Sequence, residues 1–396
     1  MATEAEKKHL CACCGETEIP EDRQYCDKCI NYMTHHPFDA WDFSFPVIAV
    51  LFLALSVFLT VLSWSAFHSA AKADAYTRAD RLSSALSAYS DTDSLLSEKE
   101  QKGGWAYLNR RVKVYQKLGV QNFTDTATFL DTNYQKTDLK KPWNRRAKKL
   151  SEDVEAYTAA YNYFTAAASA DTVKDFSSFL TAYDSELKGN DYDKAYANYF
   201  RYYACLVYDE DAATQKKYVD AIAAEGKHYE NLYLPLYAEL ALNGGEYDKA
   251  IEYSSGILEH NKEDAYAYVY RAIAYRMQGN LPKAYHAIQT GLKSNPNNSA
   301  LNYQMAIYLV LDGNLTQAAT YAETAFSYAD TVNSYLSAGS LYALIAKERD
   351  QSDLYDEIVE DMSGYGYSLS GDVEAVLSGE KTVKEVFLEG KGDFAW

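Results

Sequence analysis

Five of the chain's six cysteines, Cys11, Cys13, Cys14, Cys26 and Cys29, lie close together near one end, and only Cys205 stands apart. Cys11-Ala12-Cys13-Cys14 and Cys26-Asp27-Lys28-Cys29 are two C-x-x-C pairs with eleven residues between them. Each pair can aim two sulfurs at one point, and two pairs supply the four thiolates of a closed tetrahedral site, the arrangement zinc takes in structural centres. Gly15 can adopt the positive φ that turns backbone amides towards sulfur. The spacing predicts one structural zinc ion held by Cys11, Cys14, Cys26 and Cys29. So short a segment cannot bury a core, so the metal would supply its folding energy. A redox C-x-x-C would need a βαβ context, which is absent. Cys13 is a spare thiol that leaves the partner choice in the first pair open. Against a structural role stands a regulatory or nucleic-acid role using Lys7, Lys8, Arg23 and Lys28. His35 and His36 follow the second pair and are expected to be solvated.

The same residues, with C-x-x-C-G and Tyr25 just before the second pair, resemble the short zinc ribbons found at the N-termini of many bacterial membrane proteins. Ile30 departs from that pattern, where a second glycine is usual. Elsewhere the sequence holds no nucleophile elbow, phosphate loop, H-E-x-x-H or dinucleotide fingerprint. His228, His260 and His286 fall at unrelated positions, and Cys205 sits among apolar residues as a buried structural thiol. The chain is not expected to be an enzyme.

Residues 46–67, PVIAVLFLALSVFLTVLSWSAF, carry no charge. As a helix they reach roughly 30 Å, the thickness of a bilayer's hydrocarbon core, and predict one membrane span. Trp41, Phe43 and Phe45 on one flank and Trp64 and Phe67 on the other suit its interfaces. The stretch is longer than a signal peptide's apolar region and lacks a close cleavage site, so it is expected to be a retained anchor. Zinc thiolates need a reducing compartment. The N-terminus is therefore expected in the cytoplasm of a bacterium and the rest outside, although Lys72, Arg78 and Arg81 just after the span would orient it the other way.

The 37 tyrosines suit helix interfaces that are half buried and half wet. A net charge of −18 argues against nucleic-acid binding. That charge is uneven: residues 99–149 hold thirteen Lys and Arg against four acids, and residues 229–396 hold eleven against twenty-four. Residues 68–150 read as a basic helical neck, broken at Gly103-Gly104. Its charge could meet anionic lipid or wall polymer, or simply form a solvated face paired with the acidic part.

Beyond the neck, Ala238, Ala272 and Ala306 recur every 34 residues, as do Gly245, Gly279 and Gly313, and Ala250, Ala284 and Ala318. Each unit reads as a helix, a tight turn at glycine and a second helix, with alanine where the two approach most closely. Tyr247, Leu281 and Leu315 fill the next apolar position, and Pro296 closes the second unit. This pattern over 231–330 resembles the tetratricopeptide repeat, with Leu234, Tyr268 and Asn302 in place of the usual tryptophan. Residues 152–188, 191–226 and 333–362 read as degenerate units, and 363–396 as capping helices.

The resemblance implies that the first helix of each unit lines a concave face. It would present Tyr266, Val269, Ile273 and Arg276 from the second unit and Ala300, Tyr303, Ile307 and Val310 from the third, each set on one helical face. Such a groove is apolar and aromatic with one cation, and lacks the lysine and asparagine set by which chaperone-binding members clamp a carboxylate. A protein or peptide partner with an extended or helical apolar segment fits it. The neck or the C-terminal tail filling the groove in cis is the competing expectation.

The sequence therefore predicts an all-α chain: a zinc ribbon at 1–36, a transmembrane helix at 46–67, the neck at 68–150, an α-solenoid of tetratricopeptide-like helix pairs at 151–362, and capping helices at 363–396. Its expected function is that of a membrane-anchored protein-interaction scaffold at the bacterial cell envelope. The alternatives are a signalling protein that couples outside binding to the ribbon inside, and a protein that binds wall glycan or wall polymer.

Overall fold

The computed structural model describes residues 9–35, 40–96, 105–119 and 123–389. The expectations placed on Lys7, Lys8, His36, Gly103, Gly104, the side chains of Trp41, Phe43 and Phe45, and the tail beyond Glu389 fall outside those residues. Among the described residues there are helices and no strand, the one β feature being an isolated bridge between Leu10 and Glu18. The chain forms two compact units, Met1–Ser65 and Ala66–Trp396.

In the first unit the cysteine segment leads into α1 (Asp27–His35). The long helix α2 (Ala40–Arg78) begins in this unit and runs well past the apolar stretch. From Val47 to Val61 its described large apolar side chains are exposed on every side. By length and composition it is sufficient to cross a membrane.

The second unit opens with the end of α2, α3 (Leu82–Leu95), α4 (Trp105–Leu118) and α5 (Phe123–Asn133). These make a bundle with its own core, in which Ala73, Leu82, Tyr89, Val112, Phe129 and Leu150 are buried together. Most of its basic side chains that form ion pairs do so inside the bundle: Arg110 with Asp74, Arg111 with Asp93, Lys117 with Asp80 and Lys141 with Asp138.

Helix pairs follow: α6 (Arg145–Ala168) with α7 (Phe176–Leu187), α8 (Lys194–Val207) with α9 (Ala212–Ala224), and α10 (Glu230–Asn243) with α11 (Tyr247–His260). The next are α12 (Ala265–Met277) with α13 (Leu281–Ser294), α14 (Ser299–Leu311) with α15 (Leu315–Ser327), and α16 (Val332–Glu348) with α17 (Ser352–Gly364). Short polar side chains start most of them. Asp264, Asn280, Asn298 and Asn314 each accept a backbone N–H in the first turn of the helix they precede.

The turns inside the pairs repeat one geometry. Gly245, Gly279 and Gly313 have positive φ, and the next residue's amide bonds back to the carbonyl five positions earlier: Glu246 to Ala241, Asn280 to Tyr275 and Asn314 to Leu309. Glycine adopts this left-handed conformation without a Cβ clash. Ala238, Ala272 and Ala306 are buried in the adjoining helices, as are Ala250, Ala284 and Ala318. The first helices also pack on one another, α10 on α12, α12 on α14 and α14 on α16, whereas the second helices meet each other far less. Closer spacing on one side of a stack is curvature, so the first helices form the concave layer.

A buried carboxylate is one of the polar joints between the bundle and the stack. Glu263, 3% exposed, lies between α11 and α12 and accepts from the Ser84 amide at 2.8 Å, the Ser84 hydroxyl at 2.6 Å and Arg81 Nε at 2.8 Å. Beside it, the Lys262 amide donates to the Asp80 carbonyl at 2.7 Å. The first turn of α3 thus finds acceptors in a loop far away in sequence, where the helix dipole also favours a negative charge. Burial opposes ionisation of Glu263, but the Ser84 and Arg81 bonds outweigh it and hold its pKa below the ordinary 4.5.

Two outcomes follow from this packing. Ala306→Leu should overpack the helix approach and lower stability by about 1–3 kcal/mol, measured by urea unfolding. Because the folded pKa of Glu263 is depressed, its contribution is present above about pH 4.5 and is lost as pH falls through the folded value. Glu263→Gln should flatten the acid side of the pH–stability curve, and an unchanged acid limb would count against this role.

Candidate functional site

The four sulfurs of Cys11, Cys14, Cys26 and Cys29 lie within 4.8 Å of one another. A tetrahedral centre with metal–sulfur bonds of about 2.3 Å needs sulfurs about 3.8 Å apart, and Cys14 Sγ stands 4.0 Å from Cys26 Sγ. Local backbone geometry sets this up. Gly15 at φ 69° lets its amide bond back to the Cys11 carbonyl at 2.9 Å, closing the first turn. The Cys26 amide donates to Cys11 Sγ at 3.2 Å and the Cys29 amide to Cys26 Sγ at 3.4 Å. α1 begins at Asp27, so Cys29 sits in its first turn. The segment's small core is Cys11, Ile19 and Cys26.

The electrostatics fit a cation at the centre. The Glu16 amide, with help from Thr17, lowers the Cys14 thiol to about 6, and the Cys14 amide lowers Cys11. The Cys29 thiol is driven the other way, first by its contact with Cys26. Four adjacent thiols cannot all ionise against their mutual repulsion, and a divalent ion removes that repulsion. These residues therefore fit a metal ion. Cys13 is exposed and stands outside this set, and His35 is exposed and bonded to the Asn31 carbonyl of its own helix.

In the second unit the predicted groove residues divide. Val269 and Ile273 are fully buried in a core with Ala300 and Leu301, and Tyr266 remains partly exposed. Tyr303, Ile307 and Val310 are buried in a cluster that also contains Val373, Val386 and Phe387 of the chain's own C-terminal segment. That segment consists of α18 (Gly371–Leu377), which packs on α16, and a wide helical turn, Glu385–Glu389, which packs on α12. The Ser370 amide is held by the buried Ser340 hydroxyl at 2.9 Å. Arg276, 3% exposed, donates from a terminal guanidinium nitrogen to the Phe387 carbonyl. The concave layer that the sequence offered to a partner is covered in this region by the tail.

Sequence spacing gave no reason to associate His228 with His260, yet both line one cleft of about 290 Å³ with Asp80, Lys117 and Glu230. Each has its own carboxylate: His260 Nε2 lies 2.9 Å from Glu230, and His228 Nε2 lies 3.7 Å from Asp153. Cys205 is fully buried, and burial pushes its thiol up to about 12, which makes it unreactive.

No protein-family model matches this sequence, and no curated protein matches it. Among solved structures, the TPR2AB domain of yeast Sti1 in its complex with pHSP90 is similar at 18% identity and a TM-score of 0.24, covering 74% of this chain and 98% of that one. A score that low carries no weight, and the helix-pair fold rests on the 34-residue period and the packing described above.

Metal content offers a direct check on the cysteine centre. The full chain should hold one equivalent, and Cys14→Ser or Cys29→Ser should reduce it at least ten-fold, whereas Cys13→Ser should leave it unchanged. Because the ligands must be thiolates, retention should fall as pH is lowered; elemental analysis after dialysis at each pH reads this out.

Proposed function

We propose that this chain is a membrane-anchored protein-interaction scaffold. The observation that carries the reading is the concave layer of first helices, which holds a peptide segment of the chain itself through buried apolar side chains and a backbone carbonyl. A surface that seats one such segment has the shape and chemistry to seat another.

Two further assignments complete the proposal. The metal at the cysteine centre is zinc, since a closed set of four thiolates suits that ion and the segment has little other core. The exposed apolar stretch of α2 is the anchor, with the thiolates on the reducing, cytoplasmic side and the repeats outside a bacterial plasma membrane. Anchoring would confine the repeats to the membrane surface and raise their effective concentration there.

Protease treatment of intact cells, followed by detection of each end, tests the arrangement. The repeats should be digested and the N-terminal segment protected. Protection of the repeats with loss of the N-terminus would reverse the orientation, and recovery of the whole chain in the soluble fraction would remove the anchor.

A further inference from the structure

Arg276 is a buried guanidinium with an incomplete set of partners. One terminal nitrogen donates to the Phe387 carbonyl and lies 4.0 Å from Met277 sulfur, and Nε has no partner. No carboxylate pairs with it among the described residues, and burial lowers its pKa to about 10. A buried guanidinium with an unsatisfied Nε and no carboxylate beside it is expensive, in contrast to Glu263, which has a full set of donors. The side chains around it are well packed. Phe387 and Val386 are each 2% exposed, and they share a cluster with Tyr303, Ile307 and Val310 from α14. Leu369, Val376, Leu377 and Val383 pack against its edge.

The segment is also locally self-sufficient. Thr382 and Glu385 cap each other, with the Thr382 amide donating to the Glu385 carboxylate at 2.7 Å and the Glu385 amide to the Thr382 hydroxyl at 3.2 Å. Lys381 pairs with Asp372, and Lys384 with Glu389, all within the C-terminal segment. A short segment that closes its own turn and binds mainly through two adjacent side chains and one carbonyl can leave without unravelling the helices beneath it. Its two lysines are exposed, and the sequence over 229–396 is strongly acidic, with eleven basic residues against twenty-four acids.

We infer that residues 382–389 are a resident competitor in the concave layer, and that the partner they hold off is a protein segment of the same chemistry. That partner carries a β-branched residue followed by an aromatic residue whose carbonyl caps Arg276, with lysines on its flank. This inference rests on the reading of the concave layer as a protein-binding surface. The resident segment lowers the apparent affinity for any partner by the fraction of time it vacates the site, so the scaffold is closed at rest and opens by exchange.

The test uses the full chain and a fluorescent peptide, EKTVKEVFLE, which copies residues 380–389. By fluorescence anisotropy, the chain carrying Val386→Ala and Phe387→Ala should bind the peptide at least ten-fold more tightly than the unaltered chain, and adding Arg276→Ala should abolish that gain. Hydrogen exchange gives a second measurement that needs no substitution. Excess peptide should speed exchange of the amides at 383–389 in the unaltered chain while α14 stays protected. Equal affinity of the two chains, or a tail that stays protected at peptide saturation, overturns the resident competitor and leaves the binding surface standing. Absence of peptide binding by both chains overturns the binding surface itself.

Discussion

The left-handed turn residue inside the helix pairs is the constraint on which the second unit depends. Seven junctions close the same way, with one residue at positive φ and the following amide bonded to the carbonyl five positions back. These are Asp80, Asp209, Gly245, Gly279, Gly313, Asp350 and Gly366, followed by bonds from Arg81, Glu210, Glu246, Asn280, Asn314, Gln351 and Tyr367. That geometry satisfies carbonyls the helix end would otherwise leave open and sends the chain back along its own axis. From Gly245 to Gly313 it recurs every 34 residues and sets the repeat of the stack. Alanine at the crossing then lets the two helices close, and the first helices fall into one continuous layer.

Two buried charges show how differently the layers are joined. Glu263 has an amide, a hydroxyl and a guanidinium around it, and so behaves as a permanent joint between the bundle and the repeats. Arg276 donates to a carbonyl of a segment that caps itself, and its Nε is left unsatisfied. The polar partners thus gather at the first joint, and the second contact is left mainly to apolar packing, which is non-directional. The first unit solves a separate problem. Too small for a hydrophobic core, it gathers four sulfurs instead and lets backbone amides stabilise them.

Legibility in the sequence followed the range of the interaction. The cysteine pairs could be read because each pair and its turn are local, with Gly15 and the C-x-x-C spacing fixing most of the geometry. The repeats between 231 and 330 could be read because glycine and alanine mark the turn and the crossing directly. The flanking junctions were harder, since Asp80, Asp209 and Asp350 do the work of glycine. Aspartate tolerates the left-handed region but does not announce it. Asp80 in particular makes the end of α2 and α3 a helix pair, where the sequence suggested only a helix leaving an apolar stretch.

By itself, then, the sequence determined the helical class, the period of the stack, the set of clustered thiols and the apolar run, because each depends on residues within a turn or two of one another or on exact recurrence. Only the tertiary structure decided what meets across distance. Ser84 finds Glu263 and Phe387 finds Arg276 over separations of 179 and 111 residues, and no local pattern encodes such a partner. Whether a concave face is open or occupied is a property of the folded stack, since it turns on where the last segment comes to rest after every preceding helix has been placed.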